Sequence, residues 1–166
     1  MNVSETAKAE RLLFFAMDAA DGAAMDAALA KGADIDCEDP ESGMTPLMMA
    51  AMNGGEKSLA LLLDRGADPS VSVRESDYLH LQGHYTGLDY TALWFAVKSG
   101  SKSCVKLLLD ADGLPAPWRI ASCAKAAAPE MAAWFIEYTQ YGWEKEILAV
   151  TLSAGEPQDA AKRMRL

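Results

Sequence analysis

His80 and His84 are the only histidines among 166 residues, and their spacing of four would let one helical face offer both imidazoles to a metal ion. Their surroundings argue for a different use. Gly83 lies between them, Val71 and Val73 alternate with polar residues, and no cysteine or carboxylate stands nearby at a zinc-like spacing. An extended, hairpin-like loop presenting Tyr78, His80, His84 and Tyr85 to a partner fits better, because tyrosine and histidine join an apolar body to a polar tip at low rotamer cost. The same aromatics would also serve to pin the loop onto its own scaffold, and metal binding through His80 and His84 is the third alternative.

Other groupings with chemical potential are weaker. Ser99-Gly100-Ser101-Lys102-Ser103 looks like the end of a phosphate-binding loop, but the first glycine of that motif would fall at Ala96, so the segment reads as a turn between helices. There is no Gly-x-Ser-x-Gly elbow, no His-Glu-x-x-His and no Cys–His pair at a known spacing. Carboxylates are plentiful, yet they fall in polar connecting stretches where no apolar pocket would raise one pKa for acid catalysis. Cys37, Cys104 and Cys123 are an odd, scattered set, unlike a disulfide framework, and suit a reducing cytoplasm. Cys37 is expected to be exposed in a loop, and Cys104 and Cys123 to fill small core sites. The chain therefore reads as a non-enzyme with no catalytic residue, metal or cofactor.

Composition bounds what can position these groups. With 51% hydrophobic residues in 166, one core is affordable and a second domain is not expected. The apolar run at residues 12–17 is too short for an export signal, and charged residues interrupt every stretch that approaches membrane-spanning length. The net charge of −9 is uneven: residues 1–70 hold 13 acidic and 5 basic side chains, a net of −8, leaving −1 for the rest. Such a field disfavours nucleic acid and anionic lipid and speeds encounter with a basic protein, although an acidic face also simply favours solubility.

The elements show themselves through internal repetition. LLLDRGADPS at 61–70 echoes AALAKGADID at 27–36, which places Gly32 and Gly66 one repeat length apart, and VKLLLDADG at 105–113 is a degraded third copy. A shorter apolar segment precedes each copy, at 11–19, 45–53 and 91–99. Each unit is thus a pair of short helices. Thr45-Pro46 and Thr91 open first helices, while Gly54-Gly55 and Gly100 break one helix so that an antiparallel one can begin. Ala50, Ala51 and Ala96 permit close approach, and Leu62, Leu63, Leu108 and Leu109 supply bulk that only stacked units can bury.

On these residues the chain resembles the ankyrin-repeat family, with the fullest match at Thr45, Pro46, Leu47, Ala50, Ala51, Gly54, Leu59, Leu62, Leu63, Gly66, Ala67 and Asp68. The resemblance implies an all-α solenoid of about four repeats, roughly 7–36, 37–70, 89–114 and 117–140, closed by a capping helix pair at 144–165. The fourth unit rests on spacing alone, with Ile120, Cys123, Ala124, Phe135 and Ile136 at expected core positions. Three departures stand out. Met48 and Trp94 replace the family's histidine, the stretch from Asp68 to Thr91 is long enough to hold an inserted loop at 71–88, and the link carrying Pro115 and Pro117 is short.

Carried over by position, the family's groove would be lined by Asp18, Glu41, Met44, Met52, Asn53, Tyr90, Lys98, Ser99 and Lys125. Met44 and Met52 are expected to be adaptable exposed contacts and Tyr90 an anchor, with Met48 and Met49 in the core. Asp34, Asp36, Glu38 and Asp39 add an acidic end suited to a cationic patch. The resemblance implies a monomeric protein-binding module that engages another protein, and by analogy with small bacterial ankyrin chains an immunity protein or inhibitor neutralising a toxin. A regulatory or structural subunit of a neighbouring enzyme is the alternative.

Overall fold

The computed structural model describes residues 3–73, 90–112, 123 and 127–139. Tyr78, His80, His84, Tyr85, Ile120, Ala124, Lys125 and the expected cap at 144–165 lie outside the described residues. Helices come in pairs: α1 (Val3–Asp18) with α2 (Gly22–Ala30), α3 (Pro46–Met52) with α4 (Glu56–Leu63), and α5 (Ala92–Ser99) with α6 (Lys102–Asp112). A further helix, α7, covers 129–139. The observed architecture is the all-α repeat solenoid the sequence implies, and the first helix starts at Val3, ahead of the expected repeat start near residue 7.

Local chemistry sets the helix limits. The Thr45 hydroxyl accepts from the Met48 amide at 3.3 Å, and Pro46 occupies the first helical position where its missing N–H costs nothing. Asp21 does the same for α2, its Oδ1 accepting from the Ala23 and Ala24 amides at 3.0 and 3.1 Å. Gly54 turns the chain between α3 and α4 at φ 66°, and Ala20, at the equivalent position of the preceding repeat, takes the same role at φ 50°. A Cβ-bearing residue in that left-handed region costs about 1–2 kcal/mol, which the first repeat tolerates in place of a glycine.

The core runs along the stack without interruption. Leu13 and Met17 of α1, Met25 of α2, Leu47 and Met48 of α3, Leu59 and Leu62 of α4, Phe95 and Val97 of α5, and Val105 and Leu108 of α6 are all buried in one cluster. Ala50, Ala51 and Ala96 are buried where α3 lies beside α5. Of the residues expected at core positions of a fourth unit, Cys123 and Phe135 are buried, whereas Ile136 is 40% exposed. It follows the fully buried Phe135 on a one-sided helix, so its side chain leaves on a different bearing.

Polar ties join successive repeats. The Ser58 hydroxyl donates to the Met17 carbonyl at 2.6 Å, and Ser99 Oγ lies 3.0 Å from the Ala51 carbonyl. On the outer helices Arg65 holds Asp26 through Nε at 2.7 Å and Nη2 at 3.0 Å, and also reaches the Gly22 carbonyl at 3.1 Å. Between α6 and α7 the ties are cation–π: Lys102 Nζ stands 5.3 Å from the Trp134 ring and Lys106 Nζ 5.7 Å from Tyr138. A two-rung antiparallel ladder departs from a purely helical fold. In it β1 (Ser72–Val73) pairs with β2 (Tyr90–Thr91), Ser72 opposite Thr91 and Val73 opposite Tyr90.

Candidate functional site

The surface available to a partner is built from the C-terminal turns of the inner helices and from the loop joining the first two repeats. Contacts tie α3 to both α1 and α5, so the ends of these three helices form one row. Asp18, Met52, Asn53, Lys98 and Ser99 all sit in those turns and are exposed. Asp18 and Met52 occupy the same position in successive repeats. Lys98 Nζ rests 4.8 Å from the centroid of the Trp94 ring, which fixes the position of a cation at the far end of the row from Asp18.

The loop between α2 and α3 places five carboxylates in different circumstances. Asp34 Oδ1 accepts from the Asp36 amide at 3.0 Å, and Asp36 Oδ1 accepts from the Asp68 amide at 3.0 Å, linking this loop to the next. Asp68 Oδ1 repeats the turn by accepting from the Ser70 amide at 2.8 Å. Asp39 is engaged in shaping the tip, its Oδ2 accepting from the Ser42 amide at 2.9 Å and from the Ser42 hydroxyl at 2.7 Å. Glu38 and Glu41 are exposed. Of the expected acidic contacts, Asp36 and Asp39 are thus half-buried parts of the loop framework, while Glu38 and Glu41 face solvent.

Burial raises the Asp36 pKa above the usual carboxylate value, helped by the nearby charges of Asp34 and Asp68 and opposed by the Asp68 amide. A folded pKa above the unfolded one means that the ionised form weakens folding, so this contribution favours stability below the unfolded pKa and is lost as pH rises through the folded one. Asp36→Asn keeps an oxygen for the Asp68 amide and removes the charge. We expect its urea midpoint to exceed that of wild type slightly at pH 7 and to converge with it at pH 3, checked by equilibrium unfolding at both.

Two expected contacts are corrected. Met44 is only 2% exposed and Tyr90 5%, so neither offers groove surface. Each directly precedes the threonine at which a helix starts, the place where an apolar side chain folds back onto the first turns. Tyr90 does this visibly, its ring centroid 4.4 Å from Trp94 and 6.4 Å from Phe95. Apolar residues both before the threonine and one turn into the helix were the signal in the sequence. Cys37 is also corrected from exposed to buried; burial, with Glu10, Asp34 and Asp36 nearby, pushes its thiol up to about 12. Burial also raises the Cys104 thiol, and Cys104 and Cys123 are both buried.

A solenoid of helix pairs with a displayed row of turns defines a repeat protein whose surface serves contact with other proteins. A family model described as ankyrin repeats, in three copies, matches residues 12–117, and the chain belongs to the ankyrin-repeat family. Ankyrin repeats form protein–protein interaction modules, and this chain is one.

Relatives carry the same signal over parts of larger proteins. The chain is similar to Ankyrin repeat protein nuc-2 of Neurospora crassa, 35% identical over 80 residues that are 48% of this chain and 6% of that protein. It is 33% identical over 119 residues to NAD-capped RNA hydrolase NUDT12 of Pongo abelii, covering 70% of this chain and 23% of that one. It is 35% identical over 75 residues to Ankyrin repeat and SOCS box protein 14 of Mus musculus, covering 45% of this chain and 12% of the relative. The chain spans less than a quarter of the length of each. No helix among the described residues is long and apolar enough to cross a membrane.

Proposed function

We propose that this chain is a non-catalytic binding module that holds a partner protein bearing a basic patch against its inner row and its 71–88 insertion, and so blocks that partner as an inhibitor or immunity protein. The observation that supports this best is the division of labour among the carboxylates. Asp36 and Asp39 hold the loop in shape, and that leaves Glu38 and Glu41 exposed on a fixed framework. Fixed charge of one sign steers encounter and selects against partners of like charge. Met52, 39% exposed, and Asn53 supply an adaptable uncharged centre beside Asp18, and Lys98 gives the row a polarity. The buried Cys37 and Cys104 thiols, held in their protonated form, supply no nucleophile near neutral pH.

The experiment uses the wild-type chain and a Glu38→Gln/Glu41→Gln variant as baits against a lysate of the source cells. Asp39 is left intact because its removal would unmake the loop tip. We expect a captured protein whose association rate with the variant falls several-fold at low salt, the difference closing at high salt. Equal rates for both baits, insensitive to salt, would overturn the charge reading. A second reading, regulation of a neighbouring enzyme, draws on the Pongo abelii relative, in which the matched stretch accompanies a hydrolase. It predicts that the captured protein is an enzyme whose turnover the chain changes without abolishing it.

A further inference from the structure

The edge of the stack formed by α1 and α2 carries an open, mostly apolar groove of about 280 Å³. Leu12 and Phe15 line it from α1, Ala24 and Ala27 from α2, and Asp21 and Lys31 from the two ends of α2. Phe15 is 71% exposed, the most exposed large apolar side chain among the described residues, and Leu12 is 45% exposed.

The register of the repeats shows what kind of face this is. Moving one repeat along, by the step from Gly32 to Gly66, carries Ala24 to Ser58, Ala27 to Leu61 and Lys31 to Arg65. Those are the residues with which the second repeat seats itself on the first: Ser58 bonds the Met17 carbonyl, Leu61 lies against Gly22, and Arg65 grips Asp26. The exposed groove therefore continues, one repeat outward, the interface that builds the stack. Its side chains differ from the inner copy in one direction. Serine and leucine have become alanine, which hollows the face, and an exposed phenylalanine stands beside the hollow.

We propose that the occupant of this groove is a second copy of the same chain, related by a two-fold axis. A hollow beside a knob is self-complementary under such an axis, each Phe15 entering the alanine-lined groove of the other copy. The charges agree. Asp21 and Lys31 are separated by ten positions of helix, about 15 Å at roughly 1.5 Å per residue, so two antiparallel α2 helices bring each Asp21 opposite the other copy's Lys31. Among the described residues Lys31 forms no ion pair, and Asp21 uses Oδ1 for capping, which leaves Oδ2 for this contact. The alanines between them allow the two helices to approach closely.

Sedimentation equilibrium of the 166-residue chain, from micromolar to submillimolar concentration, tests the proposal. A mass rising towards twice 17.8 kDa is expected, and Phe15→Glu is expected to weaken association more than about tenfold while leaving the melting temperature of the monomer unchanged. Ala27→Cys places an accessible thiol near the axis, and diamide oxidation should then yield a 27–27 disulfide between copies, since Cys37, Cys104 and Cys123 are buried. A single-chain mass throughout the range, a dimer indifferent to Phe15→Glu, or a dimer without the 27–27 cross-link would each overturn it.

Discussion

Phe95→Ala is expected to cost about 3–5 kcal/mol, a large part of the stability of a domain this size. Phe95 is completely buried at the centre of α5, edge-on to Trp94 at 5.1 Å and tilted against Tyr90 at 6.4 Å. Truncation removes the ring and leaves a cavity beneath the helix that joins the second repeat to the third. Because repeats contact only their neighbours, the loss falls on one stretch of the stack. Unfolding in urea should therefore separate into stages: in a background with Trp118, Trp134 and Trp143 replaced by phenylalanine, Trp94 fluorescence should change at lower denaturant than the far-ultraviolet circular dichroism. A single coincident transition by both probes would show that the described repeats melt as one unit.

The second large effect has the opposite cause. Ala51→Leu is expected to destabilise by about 1–3 kcal/mol through overpacking, measured by the shift of the urea midpoint at constant slope. Ala51 is fully buried in α3, and its carbonyl accepts the Ser99 hydroxyl at 3.0 Å from the end of α5. The added isopropyl group between these helices would push them apart and break that bond. Ala51→Ser, nearly isosteric, should cost far less. The pair separates crowding from loss of apolar character.

Much of this architecture was legible in the sequence because each repeat states its geometry twice. Gly32 and Gly66 adopt φ 90° and 86° at the same position of their units, and Thr45-Pro46 caps the helix its residue types imply. Patterning was weaker wherever a position has two apolar duties. Met44 and Tyr90 read as display because family position places them before a helix, whereas their local chemistry folds them inward as staples. Cys37 read as loop and is buried by the packing of that loop on its neighbours. Ile136 read as core beside Phe135, where the helix has room for only one of them to face inward.

The ties between repeats were less legible, since they join residues about one repeat length or more apart. Arg65 reaches Asp26 across that distance, and its hydrogen bond holds the Asp26 carboxyl below the usual range. The sequence did carry a trace of it, a cation at Lys31 and again at Arg65 in the same register. Lys102 and Lys106, spaced four apart like Trp134 and Tyr138, left a similar trace for α6 and α7. Spacing alone does not say which face of a helix a basic residue serves.

The two-rung ladder between Ser72–Val73 and Tyr90–Thr91 makes the stack tolerant of growth at that point. Paired strands hold the two ends of the intervening segment about 5 Å apart whatever its length. With the ends already fixed, doubling the length of chain between them adds only about 0.6 kcal/mol of closure entropy. Sequence added between residues 74 and 89 would therefore leave Tyr90 and Thr91 starting the third repeat in the same place.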